Sequence, residues 1–407
     1  MKKIGYVLTN FPVLSETFVS TEIRAMEACG HEIVPISFNH YGGQYQANDN
    51  DLKEKTIYLS DYSNKLALKA LGIIRPSAFR ALKFALNQTG IPIKSLIGNA
   101  LKLAYIAKQH NCTHFHAHFS QSAAATAIVA ARLSGLTVSF VGHGHDIYAS
   151  PQDLKLKLKS VDFAVAVCLD MAWHFRNIEP KANTSLVYCG VDTNRFNADA
   201  FKQHEQIKLP QQPSKEKLLF IGRLCETKGL FTLLDALNKI EPSKRPCIDF
   251  VGAGVLRNKL EQYAEDLGLE GHVNFLGPKQ SSWLIENAHN YAALTVPFEM
   301  ASNGDRDSGP VVVKEAMALK LPIITTYFMG CKEMLTQECS LRVPPKDPSS
   351  LARIIKRFLE MPQTQINRMV ENAYERVNTH YSANLQALCL STLVEQTSTT
   401  GQKQLLN

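Results

Sequence analysis

The stretch Lys217-Leu-Leu-Phe-Ile221-Gly222-Arg223-Leu-Cys-Glu-Thr-Lys228-Gly229-Leu230 decides the fold. A short apolar run ends in glycine, a loop with two cations follows, and a helix is predicted from about 229 to 240. This strand–turn–helix unit recurs. Strands are predicted at 247–251, 273–276, 292–296 and 322–326, with helices at about 256–267 and 311–319. In the other half, strands at 3–8, 32–37, 114–117 and 137–141 alternate with helices at 16–29 and 121–133. Such alternation predicts an α/β chain with two Rossmann-like, doubly wound domains. The expected division is 1–196, a polar linker with two prolines at 197–214, a second domain at 215–380, and a C-terminal segment at 381–407. That last segment carries a helix at about 384–396, expected to pack back on the first domain, and a polar tail expected to fray.

Composition agrees with an enzyme of ordinary globular type. The chain has 407 residues, 45% hydrophobic and 20% charged, with a mean hydropathy of −0.12, which excludes disordered and fibrous classes. Nine cysteines, scattered and never spaced Cys-x-x-Cys, argue against a disulfide scaffold or a cysteine zinc site and fit a reducing cytoplasm. The opening apolar run is broken by Thr9, Asn10 and Pro12, so it reads as a first strand rather than a signal peptide. The apolar stretches at 122–133 and 161–169 are shorter than the roughly 18 residues that predict a membrane span. The net charge of +7 is unevenly placed: between Tyr62 and His110 stand Lys65, Lys69, Arg75, Arg80, Lys83, Lys94, Lys102 and Lys108, and no acid. Leu66, Leu68, Leu71, Ile73, Phe79, Leu82, Phe84 and Leu86 interleave with these bases. That pattern suits a helix lying on an anionic membrane surface, and equally a solvated helical face beside a core. It resembles no nucleic-acid module, so no nucleic acid is expected.

Three groups of residues have the types and spacing for chemistry. Gly222 would let the backbone approach a diphosphate, while Arg223 binds it bidentately and Lys228 adds a point charge. A surface loop with ordinary cations has the same spacing. Gly252-x-Gly254 lacks the third glycine of a dinucleotide fingerprint, and a ligand-free turn explains it as well. In Asn303-Gly304-Asp305-Arg306-Asp307-Ser308-Gly309-Pro310-Val311, followed by Glu315, the Gly309-Pro310 pair starts a helix. Asp307 then stands in the loop before it and Glu315 one or two turns inside, one acid free for sugar hydroxyls and the other for a ribose. Solvated loop acids are the competing reading. The histidines His114-x-His116-x-His118 and His143-x-His145-Asp146 suit either a metallohydrolase site or imidazoles bonding a sugar at strand ends. The metallo-β-lactamase pattern His-x-His-x-Asp-His fails in register, and neither a Gly-x-Ser-x-Gly elbow nor a Walker loop is present.

Taken in order, the motifs resemble the retaining glycosyltransferases of family 4. They are Phe11-Pro-x-Leu14-Ser15-Glu16-Thr17-Phe18, His116-Ala-His118-Phe, Ser139-Phe140-x-x-His143-Gly144-x-Asp146-Ile147-Tyr148, Gly190-Val-Asp192-x-x-x-Phe196, Gly222-Arg223-Leu-x-x-x-Lys228-Gly229 and Asp307-x7-Glu315-Ala-Met-Ala. The Ser-Glu-Thr-Phe start and the Asn-Gly-Asp-x-Asp loop are most similar to colanic-acid and exopolysaccharide members.

The resemblance implies the GT-B fold, two Rossmann-like domains facing a cleft, and a nucleotide diphosphate sugar as donor. It implies that Arg223 and Lys228 hold the diphosphate and stabilise the leaving group without a metal, so no metal and no cofactor are expected. It implies donor contacts at Gly222, Gly309, Pro310 and Val311, Glu315 on the ribose, Asp307 on the transferred sugar, and His143 against that sugar near the reacting carbon. Ser15, Glu16 and His118 would line the acceptor side. One departure is Asp307, where the family usually has glutamate, one methylene longer. The expected protein is therefore a cytoplasmic hexosyltransferase, peripheral at the inner face of the membrane. A UDP-sugar is favoured over GDP-mannose as donor, with a polyprenyl-diphosphate-linked or other glycan as acceptor. A nucleotide-sugar 2-epimerase and a non-catalytic nucleotide-sugar-binding protein of the same fold are the alternatives.

Overall fold

The computed structural model describes residues 1–63, 65–75, 78–197 and 217–397. These form two compact units, Met1–Cys189 with the segment from Ala383, and Gly190–Ser382. The expected linker lies, apart from Asn197, outside the described residues, as does the tail after Thr397. The first domain was expected to reach 196, but residues 190–196 belong to the second unit. There the Val191 N–H donates to the Tyr381 carbonyl at 2.9 Å, and Arg195 hydrogen-bonds Ser281.

The first unit is a seven-stranded parallel sheet in the order β3-β2-β1-β4-β5-β6-β7. Its strands are β1 (Lys3–Phe11), β2 (Glu32–His40), β3 (Ile57–Tyr58), β4 (His114–His118), β5 (Thr137–Val141), β6 (Phe163–Ala166) and β7 (Thr184–Leu186). The helix Thr17–Ala28 returns the chain from β1 to β2, burying Val19, Ile23 and Met26. The C-terminal helix Ala383–Gln396 packs against it. β4 is central and buried throughout, as a parallel strand covered on both faces must be. Its period of two puts His114, His116 and His118 on one face and Phe115 and Ala117 on the other.

The second unit is a six-stranded parallel sheet in the order β10-β9-β8-β11-β12-β13. Its strands are β8 (Lys217–Ile221), β9 (Cys247–Val251), β10 (Val273–Gly277), β11 (Ala293–Val296), β12 (Ile323–Thr326) and β13 (Leu341–Val343). The strand order reverses between β1 and β4 in the first sheet and between β8 and β11 in the second. Open α/β sheets bind ligands at such reversals, outside the carboxyl ends of the strands.

Two corrections fall on the basic segment. Lys102 is buried, its ammonium donating to the Leu59 carbonyl at 3.4 Å, so it is no surface cation. Phe84 packs inward with Ala81 and Ala85, whereas Phe79, Leu82 and Leu86 of the same helix, Ala78–Leu86, are exposed. No helix among the described residues is long and apolar enough to cross a membrane.

Candidate active site

In the second unit the loops after β8 and β11 meet at the strand reversal. Gly229 adopts φ +63° at the start of the helix Leu230–Asn238, and a Cβ there would collide with the Pro297 carbonyl just beyond β11. Glu226 ties the loops together by accepting from the Ser302 N–H and hydroxyl, each at 2.7 Å. Gly252, at φ +149°, gives the β9 loop the same closeness, because a side chain there would overlap the Gly222 carbonyl. Gly252-x-Gly254 thus has a packing explanation, with Gly222 N–H donating to Val251 at 2.9 Å.

This packing carries two cations of different character. Lys228 is buried, its ammonium 4.8 Å from the centroid of the Phe298 ring and paired with the Asp307 carboxylate. Arg223 is exposed and makes no ion pair among the described residues. The structure therefore brings Lys228 and Asp307 together. Asp307 precedes the helix Val311–Ala318, whose N-cap is the buried Pro310. The first N–H groups of that helix have no carbonyl partner within it and form a positive, donor-rich end. Gly309, Pro310 and Val311 stand at that end. Ser308 beside them, which the sequence reading passed over, is buried with a hydroxyl that has no hydrogen-bond partner among the described residues.

Glu315 lies one turn into the helix and is buried. Burial pushes its carboxyl up to about 7, against the opposing pull of Arg195 and Lys314. Arg195 is a second residue that the sequence reading missed, since it lies outside every quoted motif position.

In the first unit the register explains how the histidines are joined. β1 pairs Tyr6 with His116, and β5 sets Thr137 opposite His114 and Ser139 opposite His116. His114 hydrogen-bonds Thr137 Oγ1 at 2.7 Å and Ser139 Oγ at 2.8 Å, while His116 Nδ1 meets the same serine at 2.8 Å. His118 Nε2 stands 3.2 Å from Glu22 Oε1, and His118 Nδ1 stands 3.2 Å from His143 Nε2. Glu22 also accepts from the Tyr6 hydroxyl at 3.0 Å and the Gln386 amide at 2.6 Å. Burial alone would raise the Glu22 carboxyl, but the His118 and His116 imidazoles hold it well below the usual carboxylate range. Burial pushes the His114, His116 and His143 imidazoles down, favouring their neutral forms.

His118 and His143 thus come together, and the acid that meets His118 is Glu22. Ser15 is exposed in the loop after β1, and Glu16 forms the N-cap of the helix Thr17–Ala28. Glu22 was legible in one respect: it occupies the same buried stripe as Val19, Ile23 and Met26, where an acid requires partners.

Glu22, His116 and His118 offer ligand atoms within 4.8 Å of one another and could hold a divalent ion. His116 Nε2 lies 3.3 Å from Glu22 Oε1, close enough for attraction though outside good hydrogen-bond geometry. Hydrogen bonding already employs Glu22 and His118.

Comparison with known proteins gives these two sites their setting. Residues 201–376 match the family model of glycosyl transferases group 1. The chain is 25% identical over 404 residues to a provisionally named colanic acid biosynthesis glycosyltransferase, WcaL, of Salmonella typhimurium, covering 92% of this chain and 95% of that protein. It is 24% identical to the amylovoran biosynthesis glycosyltransferase AmsK of Erwinia amylovora, over 97% of this chain and 99% of that one. Among solved structures, Anabaena Alr3699/HepE in complex with UDP superposes with a TM-score of 0.72 at 17% identity, covering 97% of this chain and 100% of that one. The fold is that of the GT-B glycosyltransferases, and this chain, with a glycosyl transferases group 1 domain at 201–376, is a glycosyltransferase.

Proposed function

We propose that the chain is a retaining, metal-independent hexosyltransferase acting in exopolysaccharide, capsule or lipopolysaccharide assembly. It takes a hexose from a nucleotide diphosphate sugar, a UDP-sugar before GDP-mannose, and adds it to a lipid-linked oligosaccharide. The observation that carries this reading is the meeting of the β8 and β11 loops. There the buried Lys228, the exposed Arg223 and the donor-rich start of the helix Val311–Ala318 belong to one strand reversal. Those features suit a diphosphate whose charge grows as it leaves. The names of WcaL and AmsK support the pathway, and the UDP bound by the Anabaena protein supports the donor.

In the proposed reaction the bond from the sugar's anomeric carbon to the diphosphate breaks. The acceptor oxygen bonds to the same face of that carbon, and its proton passes to the departing phosphate oxygen. Arg223 and Lys228 stabilise the leaving diphosphate. Glu315 accepts from the ribose hydroxyls, Asp307 from the sugar's, and His143 contacts the sugar. Ser15, Glu16 and His118 serve the acceptor. A thermal-shift screen of EDTA-treated protein against UDP, GDP, ADP and their sugar conjugates tests the donor. Stabilisation by one nucleoside diphosphate and its sugar is expected; a shift that requires added zinc would refute the assignment.

The helix Ala78–Leu86 is proposed to rest on anionic lipid. Phe79 and Leu86, each 65% exposed, and Leu82, 50% exposed, stand beside the exposed Arg80 and Lys83. At about 1 kcal/mol per cation, Arg80→Gln with Lys83→Gln should weaken binding to phosphatidylserine-containing vesicles roughly 30-fold in a sedimentation assay. Unchanged binding would remove the membrane from the account.

A further inference from the structure

Glu22 is a buried acid to which the reaction scheme gives no role. It receives three hydrogen bonds, from the Tyr6 hydroxyl, the Gln386 amide and His118 Nε2, and has His116 Nε2 close by. A carboxylate only accepts, so the proton shared with His118 belongs to His118 Nε2. With that proton on Nε2, the uncharged form of the ring has a bare Nδ1, which must accept. The group 3.2 Å from that Nδ1 is His143 Nε2, which must therefore donate. The second nitrogen of His143, Nδ1, has no hydrogen bond among the described residues.

Packing fixes the ring that this chain of bonds orients. Phe18 and Phe119 flank the half-buried His143 ring at centroid distances of 4.4 and 4.5 Å. The Asp146 carboxylate holds the backbone on either side of the Cα, accepting from the His143 N–H at 3.0 Å and the Gly144 N–H at 3.1 Å.

We propose that Glu22 is a positioning residue that, through His118, holds the His143 imidazole in its Nε2–H tautomer. His143 then presents Nδ1 as an acceptor for a sugar hydroxyl. The proposal rests on His143 contacting the transferred sugar. It adds that the contact has one polarity, set by an acid two side chains away. Gln386 ties the C-terminal helix to the same carboxylate. The order Glu22, His118, His143 follows the general pattern in which a buried acid selects the tautomer of a working histidine.

The test is a long-range proton–nitrogen spectrum of histidine-labelled protein, with the His143 signals assigned from a His143→Ala sample. The wild type should show a neutral His143 protonated at Nε2. Glu22→Gln should keep that tautomer, because its amide oxygen can replace the carboxylate oxygen while the Gln386 amide turns over to face the new NH2. Glu22→Leu, which has no acceptor, should give mixed tautomers, with kcat about 10²-fold lower and the donor KM within about threefold of wild type. Should Glu22→Leu fail to fold, His118→Phe cuts the same chain one bond later and should give the same mixture. A His143 protonated at Nδ1 or at both nitrogens, or unchanged in the variant without an acceptor, would overturn the proposal. Wild-type turnover by His143→Ala would remove the sugar contact, and the role of Glu22 with it, whatever the tautomer.

Discussion

Replacing Arg223 with alanine is expected to leave the melting temperature within about 1 °C of wild type and to lower kcat/KM by about 10²–10³-fold. The first half follows from exposure: the side chain makes no ion pair among the described residues, and truncating such a group changes stability by under about 0.5 kcal/mol. The second half follows from the proposed chemistry. The charge on the diphosphate grows as the glycosidic bond breaks, so a guanidinium bonded to it binds the transition state more tightly than the ground state. The loss should therefore fall more on kcat than on KM, and Arg223→Lys should recover only part of it, since an ammonium lacks the planar fork. Steady-state kinetics with the preferred donor decides the matter. A variant with wild-type kcat would place the diphosphate elsewhere.

The second large effect concerns Glu315. Its carboxyl is raised to about 7 by burial, from an ordinary 4.5, so the sign of its contribution can be worked out. Below about pH 4.5 the group is protonated in both folded and unfolded chains and costs nothing. As pH rises from there through about 7, the unfolded chain gives up the proton first, and folding stability is lost. Above pH 7 the loss amounts to about 3 kcal/mol. Glu315→Gln should therefore raise the melting temperature at pH 8 and leave it nearly unchanged near pH 4.5. The same variant should bind the nucleotide about 10- to 100-fold more weakly at pH 8, because the ribose hydroxyls lose a charged acceptor. Paired thermal melts and calorimetric titrations measure both. A variant that is less stable than wild type at pH 8 would contradict the burial argument, and unchanged affinity would remove Glu315 from the ribose.

The sequence disclosed the parts of the fold that local pattern determines. The apolar run before Gly222, the two cations and the helix after Gly229 lie within one short stretch, and their order already implies a βα unit. Gly309-Pro310 likewise announces the start of the helix Val311–Ala318. Local pattern does not reveal the strands β6 and β7. β6 lies in a continuous apolar run at 161–169, where periodicity cannot separate a buried strand from a helix, and β7 has three half-buried residues. β3 and β13, at two and three residues, are too short to show a period.

The site was legible where its residues are neighbours in sequence and hidden where they are not. Asp307 and Glu315 flank a helix start and could be read together. The network around Glu22 could not: its partners Tyr6, His118 and Gln386 lie 16, 96 and 364 residues away, joined by strand register and by the C-terminal helix. The basic segment shows the converse. Its interleaved bases and apolar residues look uniform in sequence, yet helix packing turns Phe84 and Lys102 inward and leaves Phe79, Leu82 and Leu86 exposed.

The central claim is metal-independent transfer with retention, and the most direct measurement follows the anomeric configuration of the product by NMR. EDTA-treated enzyme would be given its stabilising nucleotide sugar and a lipid-linked oligosaccharide acceptor. The account predicts turnover without added metal and a new linkage with the configuration of the donor. An inverted linkage, or no turnover until a divalent ion is restored, would contradict it.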